Sequence, residues 1–189
     1  MNQTPSTGIY VALGSNLEFD NRSPAEILNA AVRRLAEIDV ISTDISRLWQ
    51  SPAWPDPAAP AYVNAVVRVE TTPAPRELLA VLQQVETEFG RVRGERYASR
   101  TLDLDIVDFE GLVLDEDGLT LPHPRAYQRA FVLLPLREIA PDWVEPRTAK
   151  PLAELIDELE PDAAGACTPL ADTPLASKPP ILKALCELI

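Results

Sequence analysis

Residues 62–70 alternate cleanly: Val63, Ala65, Val67 and Val69 fall on one side, Tyr62, Asn64, Val66 and Arg68 on the other, and the period of two predicts a strand. A short apolar run over 8–13 predicts another, ending in the turn signal Gly14-Ser15-Asn16. The period then changes to that of a helix. Ser23, Pro24 and Glu26 are an N-cap, a first-turn proline and a first-turn acid, and Ile27, Leu28, Ala31, Leu35 and Ile38 form the apolar stripe behind them. A second helix runs from Pro75 to Phe89 with Leu78, Leu79, Leu82, Val85 and Phe89 inward, and Gly90 closes it. Residues 40–49 alternate loosely and predict a single strand, and residues 102–109 predict another. Residues 111–121 suit a hairpin, and 131–139 is an apolar stretch that stops before Pro141. Four prolines between Pro52 and Pro60 make the 51–60 loop stiff and unfit for a sheet interior. Strand, helix, strand, strand, helix, strand is the split βαβ order of a ferredoxin-like α+β domain. The expected fold is an antiparallel-sheet core with helices packed on it, a three-layer α/β/α sandwich.

At 189 residues the chain can bury one good core. The expected organisation is a domain over 1–146 followed by a Pro/Ala-rich extension over 147–189. That extension is expected to be loosely ordered over 161–180 and to end in a short amphipathic helix over 181–189. No apolar run has membrane-spanning length, nor does a signal peptide open the chain. Cys167 and Cys186 have neither metal-ligand spacing nor a disulfide framework, so a reduced, cytoplasmic compartment is expected; the expected oligomeric state is a monomer.

A net charge of −12 argues against a nucleic-acid partner, and with no spanning run no membrane partner is expected either. The positive charge is clustered all the same. Six arginines lie between Arg91 and Arg129, and Arg91, Arg93, Arg96 and Arg100 fall within ten residues. In an acidic chain this points to a local anion site, because guanidinium forks match phosphate oxygens. Directly after them, Asp103 and Asp105 sit two apart in a strand pattern. They share a face with Cα atoms about 6.5 Å apart, while Leu102, Leu104 and Ile106 face the core. Two such carboxylates can hold magnesium, and a solvated strand face gives the same spacing. His123, the only histidine, is flanked by Pro122 and Pro124 and reads as a positioned donor to phosphate or as a structural histidine. Tyr62 and Asn64 offer an aromatic face beside an amide, which suits a flat heterocycle. No phosphate-binding glycine loop, Ser-His-Asp set or activated cysteine is legible.

Several stretches together match one family: Ala12-Leu-Gly-Ser-Asn16, Tyr62-Val-Asn64, Glu86 through Arg93, Arg100-Thr-Leu-Asp-Leu-Asp-Ile106, Leu121-Pro-His-Pro-Arg125 and Arg129-Ala-Phe131 through Pro141. In this order, across residues 8–145, they resemble the 6-hydroxymethyl-7,8-dihydropterin pyrophosphokinases of folate biosynthesis. The resemblance implies transfer of diphosphate from ATP to the pterin hydroxymethyl group, with release of AMP. It implies two magnesium ions on Asp103 and Asp105, and catalytic roles for Arg91, Arg93 and Arg100 beside that pair. It places Leu79, Gln83, Glu86, Ile106, Thr120, His123 and Arg129 with those arginines on the ATP side. Asn16, Ser51, Pro52, Tyr62, Asn64, Tyr97 and Phe131 fall on the pterin side. Tyr97 stands where the family usually has tryptophan, and Ala59 where glutamine is common. The alternatives are a magnesium-dependent nucleotidyltransferase, which would release pyrophosphate, and a non-catalytic nucleotide- or pterin-binding protein.

Overall fold

The structure is a computed structural model that describes residues 7–91 and 100–171. Its centre is an antiparallel sheet built from β1 (Ile9–Ser15), β2 (Ile41–Ile45), β3 (Trp49–Ser51), β4 (Tyr62–Glu70) and β5 (Asp103–Phe109). The spatial order is β5-β1-β4, with β2 and β3 side by side along the far edge of β4, the ferredoxin-like arrangement the element order implies. Two helices, α1 (Pro24–Glu37) and α2 (Pro75–Glu88), cover one face. The α1 start follows its sequence signals: the Ser23 amide donates to Glu26 Oε2 at 2.8 Å, and the Ser23 hydroxyl caps the Glu26 amide. Behind the helices, Val11, Leu13, Ile27, Leu28, Leu35, Val67, Leu78, Leu82, Leu104 and Ile106 form one core. Gly90 ends α2 at φ +75°, against Phe19, a conformation and a clearance that only glycine combines.

The hairpin of β6 (Leu114–Glu116) and β7 (Leu119–Leu121) leads to a 3-10 turn over Ala126–Gln128 and then to α3 (Ala130–Ile139). This helix covers the opposite face of the sheet. There Tyr10, Trp49, Val66, Val107, Leu133, Leu136 and Trp143 form a second core. Both sheet faces are thus sealed by helices, which is the three-layer sandwich.

Two expectations change. The strand expected over 40–49 is two strands, because Ser46 interrupts it. The Ser46 hydroxyl and its backbone amide both engage β4: Ser46 Oγ accepts from the Val66 amide and Ser46 N donates to Val66 O, both at 3.0 Å. A side-chain acceptor at a ladder position turns the chain there. The second change concerns residues 161–171, expected to be loose. They form α5 (Pro161–Gly165) and β8 (Thr168–Pro169), preceded by α4 (Leu152–Asp157). Leu152, Leu155, Leu159 and Cys167 join the second core, and β8 pairs antiparallel with β3. Burial of these spaced apolar side chains outweighs the proline and alanine content that suggested disorder. The amphipathic stretch 181–189 and the N-terminal six residues lie outside the described residues.

Candidate functional site

The ends of β1, β4 and β5 come together at one end of the sheet. Gly14 on β1 sits between Asn64 on β4 and Asp103 on β5, and Ala12 between Val66 and Asp105. Because side chains two apart share a face, Tyr62, Asn64, Gly14, Ala12, Asp103 and Asp105 line one continuous floor on the α3 side. A Cβ at Gly14 would stand 3.4 Å from Asn64 Oδ1 and 3.9 Å from the Asp103 Cβ. The missing side chain therefore opens the space between the amide and the carboxylates. Gly14 and Ala12 were not singled out from the sequence as site residues, although strand alternation registers them opposite Asp103 and Asp105. Gly14→Val is expected to fill that floor and raise KM for both substrates at least about tenfold with little loss of fold stability, since the floor is open; steady-state kinetics beside a melting curve checks this.

Each aspartate is held by cations. Asp103 Oδ2 accepts from Arg100 Nη1 at 2.6 Å, and Oδ1 lies 2.7 Å from Arg91 Nη1 in an ionic contact off the line of a hydrogen bond. Asp105 Oδ2 faces His123 Nε2 at 3.9 Å and Arg129 Nη1 at 3.8 Å. Burial first, and then the charge of Asp103, raises the Asp105 carboxyl above its ordinary value, while His123 and Arg129 oppose the shift. Burial also lowers the His123 pKa, against the pull of Asp105. The His123 Nδ1 accepts from the Arg125 amide at 3.2 Å, so the proton of the neutral ring is on Nε2, facing Asp105. The His123 amide donates to Val107 O on β5, which fixes the loop beside the pair.

Asn16 joins three parts of the site. It accepts the Arg100 amide at 2.8 Å through Oδ1, donates its own amide to Arg100 O, and gives Nδ2 to Pro60 O at 3.0 Å. Asn64 donates to the Ser51 hydroxyl at 3.0 Å, which leaves its Oδ1 toward Gly14. Phe131 lies under the Arg129 guanidinium at 5.5 Å. Pro52 is exposed at the start of the proline-rich loop, and Tyr62 is half-buried.

The residues expected on the ATP side divide into two groups. Arg91, Arg100, His123 and Arg129 converge on the two aspartates. Ile106 faces the α1/α2 core, where Leu79 packs against it, and Gln83 and Thr120 are half-buried on α2 and β7. Since β5 is the sheet edge, these positions lie round that edge from the aspartates. Arg93 and Tyr97 lie outside the described residues.

Glu86 is buried at the end of α2, where Oε1 accepts the Leu104 amide at 2.7 Å and contacts Arg91. Burial pushes it up to about 7, against the Leu104 amide and Arg91. Its folded pKa exceeds the ordinary 4.5, so the folded chain holds the proton more tightly. Stability is then expected to fall as pH rises from 4.5 through 7, by about 3 kcal/mol at most, and to be level outside that window for this group. Urea unfolding at pH 5 and 8 checks this: Glu86→Gln should flatten the wild-type difference, and an equal slope in both proteins contradicts it.

Fold and site together describe a small α+β transferase. Within that class the chain belongs to the 7,8-dihydro-6-hydroxymethylpterin-pyrophosphokinase family, whose model matches residues 10–141. The 2-amino-4-hydroxy-6-hydroxymethyldihydropteridine pyrophosphokinase of Pseudomonas aeruginosa is 43% identical over 137 residues, 71% of this chain and 81% of that one. The Synechocystis enzyme of the same name is 38% identical over 155 residues, covering 81% and 76%. The Haemophilus influenzae enzyme is 40% identical over 142 residues, covering 74% and 85%. Among solved structures, wild-type HPPK-DHPS of Plasmodium falciparum superposes with a TM-score of 0.58 at 15% identity, a likeness of fold. That match covers 83% of this chain, which spans 42% of the Plasmodium chain.

Proposed function

We infer that the chain transfers the β,γ-diphosphoryl group of ATP to the hydroxymethyl oxygen of 6-hydroxymethyl-7,8-dihydropterin, releasing AMP, in folate biosynthesis. The new bond joins that oxygen to the β-phosphorus, and the bond broken joins the β-phosphorus to the oxygen it shares with the α-phosphorus. The observation that carries the reading is the shared face of Asp103 and Asp105, flanked by three arginines and the His123 ring and separated from Asn64 only by Gly14.

The donor set fits magnesium. Both side chains offer hard oxygen, and among the described residues Asp103 Oδ1 is a buried oxygen without a formed hydrogen bond. Among the described residues no cluster of three or more His, Cys, Asp or Glu is poised to hold a metal alone. That suits a cation held by one or two carboxylates with substrate phosphates and water completing its shell. Asp103 and Asp105 would hold two magnesium ions, which when bound neutralise and polarise the phosphate oxygens.

The remaining work is positioning and charge. Arg91 and Arg100, now on Asp103, are within reach of phosphates brought to that carboxylate, and Arg129 and His123 flank the same oxygens from the α3 side. His123 donates through Nε2 without adding full charge. Asn64 Oδ1 accepts from the edge of the pterin while Ser51 fixes the amide's orientation, and Tyr62 and Phe131 supply flat faces for the ring. Such alignment alone can supply several kcal/mol of barrier reduction. On this reading the enzyme is a monomer acting in the cytoplasm.

The test is product identity. Purified chain, ATP, magnesium and the hydroxymethyl-dihydropterin should yield AMP and the pterin diphosphate by mass spectrometry. Pyrophosphate with a nucleotidylated pterin would favour a nucleotidyltransferase, and tight binding without either product a non-catalytic binder; both outcomes overturn the reading.

A further inference from the structure

The segment after Pro146 touches each substrate wall at a different point. Arg147 reaches back to the β6–β7 hairpin. Its Nη2 donates to Leu121 O at 2.8 Å, Leu114 O at 3.1 Å and Asp115 Oδ1 at 2.7 Å, and its Nη1 to Asp115 Oδ2 at 2.8 Å. One guanidinium thus ties both strands of the hairpin that carries Thr120 and leads directly into His123. The turn that presents Arg147 is itself fixed. Glu145, nearly fully buried, accepts the Thr148 amide and hydroxyl at 2.6 Å through Oε2, and Glu145 N donates to Lys150 O at 2.9 Å. Just before it, Trp143 Nε1 donates to Asp108 on β5 at 2.7 Å.

Twenty residues further on, β8 lies against β3, the strand that ends in Ser51. Gln50 pairs with Thr168 and Trp49 with Pro169, and the Leu170 amide donates to Leu48 O at 2.8 Å. That last bond makes Trp49–Pro169 the non-hydrogen-bonded pair, where the missing proline N–H leaves no gap in the ladder. Cys167 is buried in the second core and Leu170 packs on the first, so the two-residue strand is anchored at both ends. Without it β3 would be a three-residue edge strand, and Ser51, the fixed partner of Asn64, would stand at its free end.

We propose that residues 147–171 position the two substrate walls separately: Arg147 sets the hairpin on the nucleotide side, and β8 sets β3 on the pterin side. This rests on the function inferred above. Neither Arg147 nor Thr168 touches the floor of the site, so both are positioning residues.

The test uses the full chain with two variants. Arg147→Ala should raise KM for ATP about tenfold and leave KM for the pterin unchanged; Thr168→Pro, which removes an amide at a hydrogen-bonded pair, should do the reverse. Arg147→Lys should fall between wild type and Arg147→Ala, and Thr168→Ala, which keeps the amide, should match wild type. A merely structural role would move both KM values together or lower only the active fraction. If Thr168→Pro fails to fold, Leu170→Ala loosens the same anchor and should show the same selectivity with a smaller shift. Amide hydrogen exchange gives a readout independent of turnover: Arg147→Ala should speed exchange over 114–121 and not over 49–51, and Thr168→Pro the converse. Equal KM shifts in both variants, or exchange that spreads over both regions, overturns the proposal. An inactive wild type would sink the function reading, and the exchange pattern alone then decides for or against the two positioning roles.

Discussion

Asp103→Ala and Asp105→Ala are each expected to lower kcat by about a thousandfold or more while leaving the fold in place. The argument is electrostatic. The reaction brings a polyanion to two carboxylates, and without a cation between them the like charges repel. Removing either carboxylate removes one of the two that the described residues offer that cation at this face. The fold should survive, because both side chains are partly exposed and the apolar packing of β5 comes from Leu104, Ile106 and Val107. Circular dichroism and a melting curve alongside the kinetics separate the two effects. Turnover within tenfold of wild type in either variant contradicts the assignment.

Arg100→Ala is expected to lower kcat by about 10²–10³-fold with a smaller change in KM for the pterin. Among the described residues Arg100 makes the shortest cation contact to Asp103, and its backbone is held in both directions by Asn16. The substitution therefore deletes the guanidinium without releasing the segment that carries it. Arg100→Lys should recover part of the rate, since charge returns but the two-pronged geometry does not. Pre-steady-state measurement of the chemical step checks this, and an unchanged rate of that step would count against the role given to Arg100.

What the sequence made legible follows a physical line. Tyr62–Glu70 matches its expected bounds, and the first helix starts at Pro24 as its cap signals require, because period and caps are local properties of the chain. The shared face of Asp103 and Asp105 was equally readable, since alternation alone puts two residues of a strand on one side. What escaped depends on partners distant in sequence. The break at Ser46 arises because Val66, twenty residues on, finds a hydroxyl in its ladder. The inward turn of Glu86 arises from the Leu104 amide. The packing of residues 152–170 depends on cores and a strand edge completed elsewhere. Gly14 shows the intermediate case: in the sequence it reads as a turn signal, whereas it lies inside β1, and its value as open floor appears only once β4 and β5 stand on either side.

The central claim is that Asp103 and Asp105 assemble metal and ATP at one face. Counting manganese bound by electron paramagnetic resonance, in the presence of a non-hydrolysable ATP analogue and the pterin, tests it most directly. The account predicts two ions per wild-type chain, and the loss of at least one in Asp103→Ala and in Asp105→Ala. The same count in wild type and both variants would contradict it.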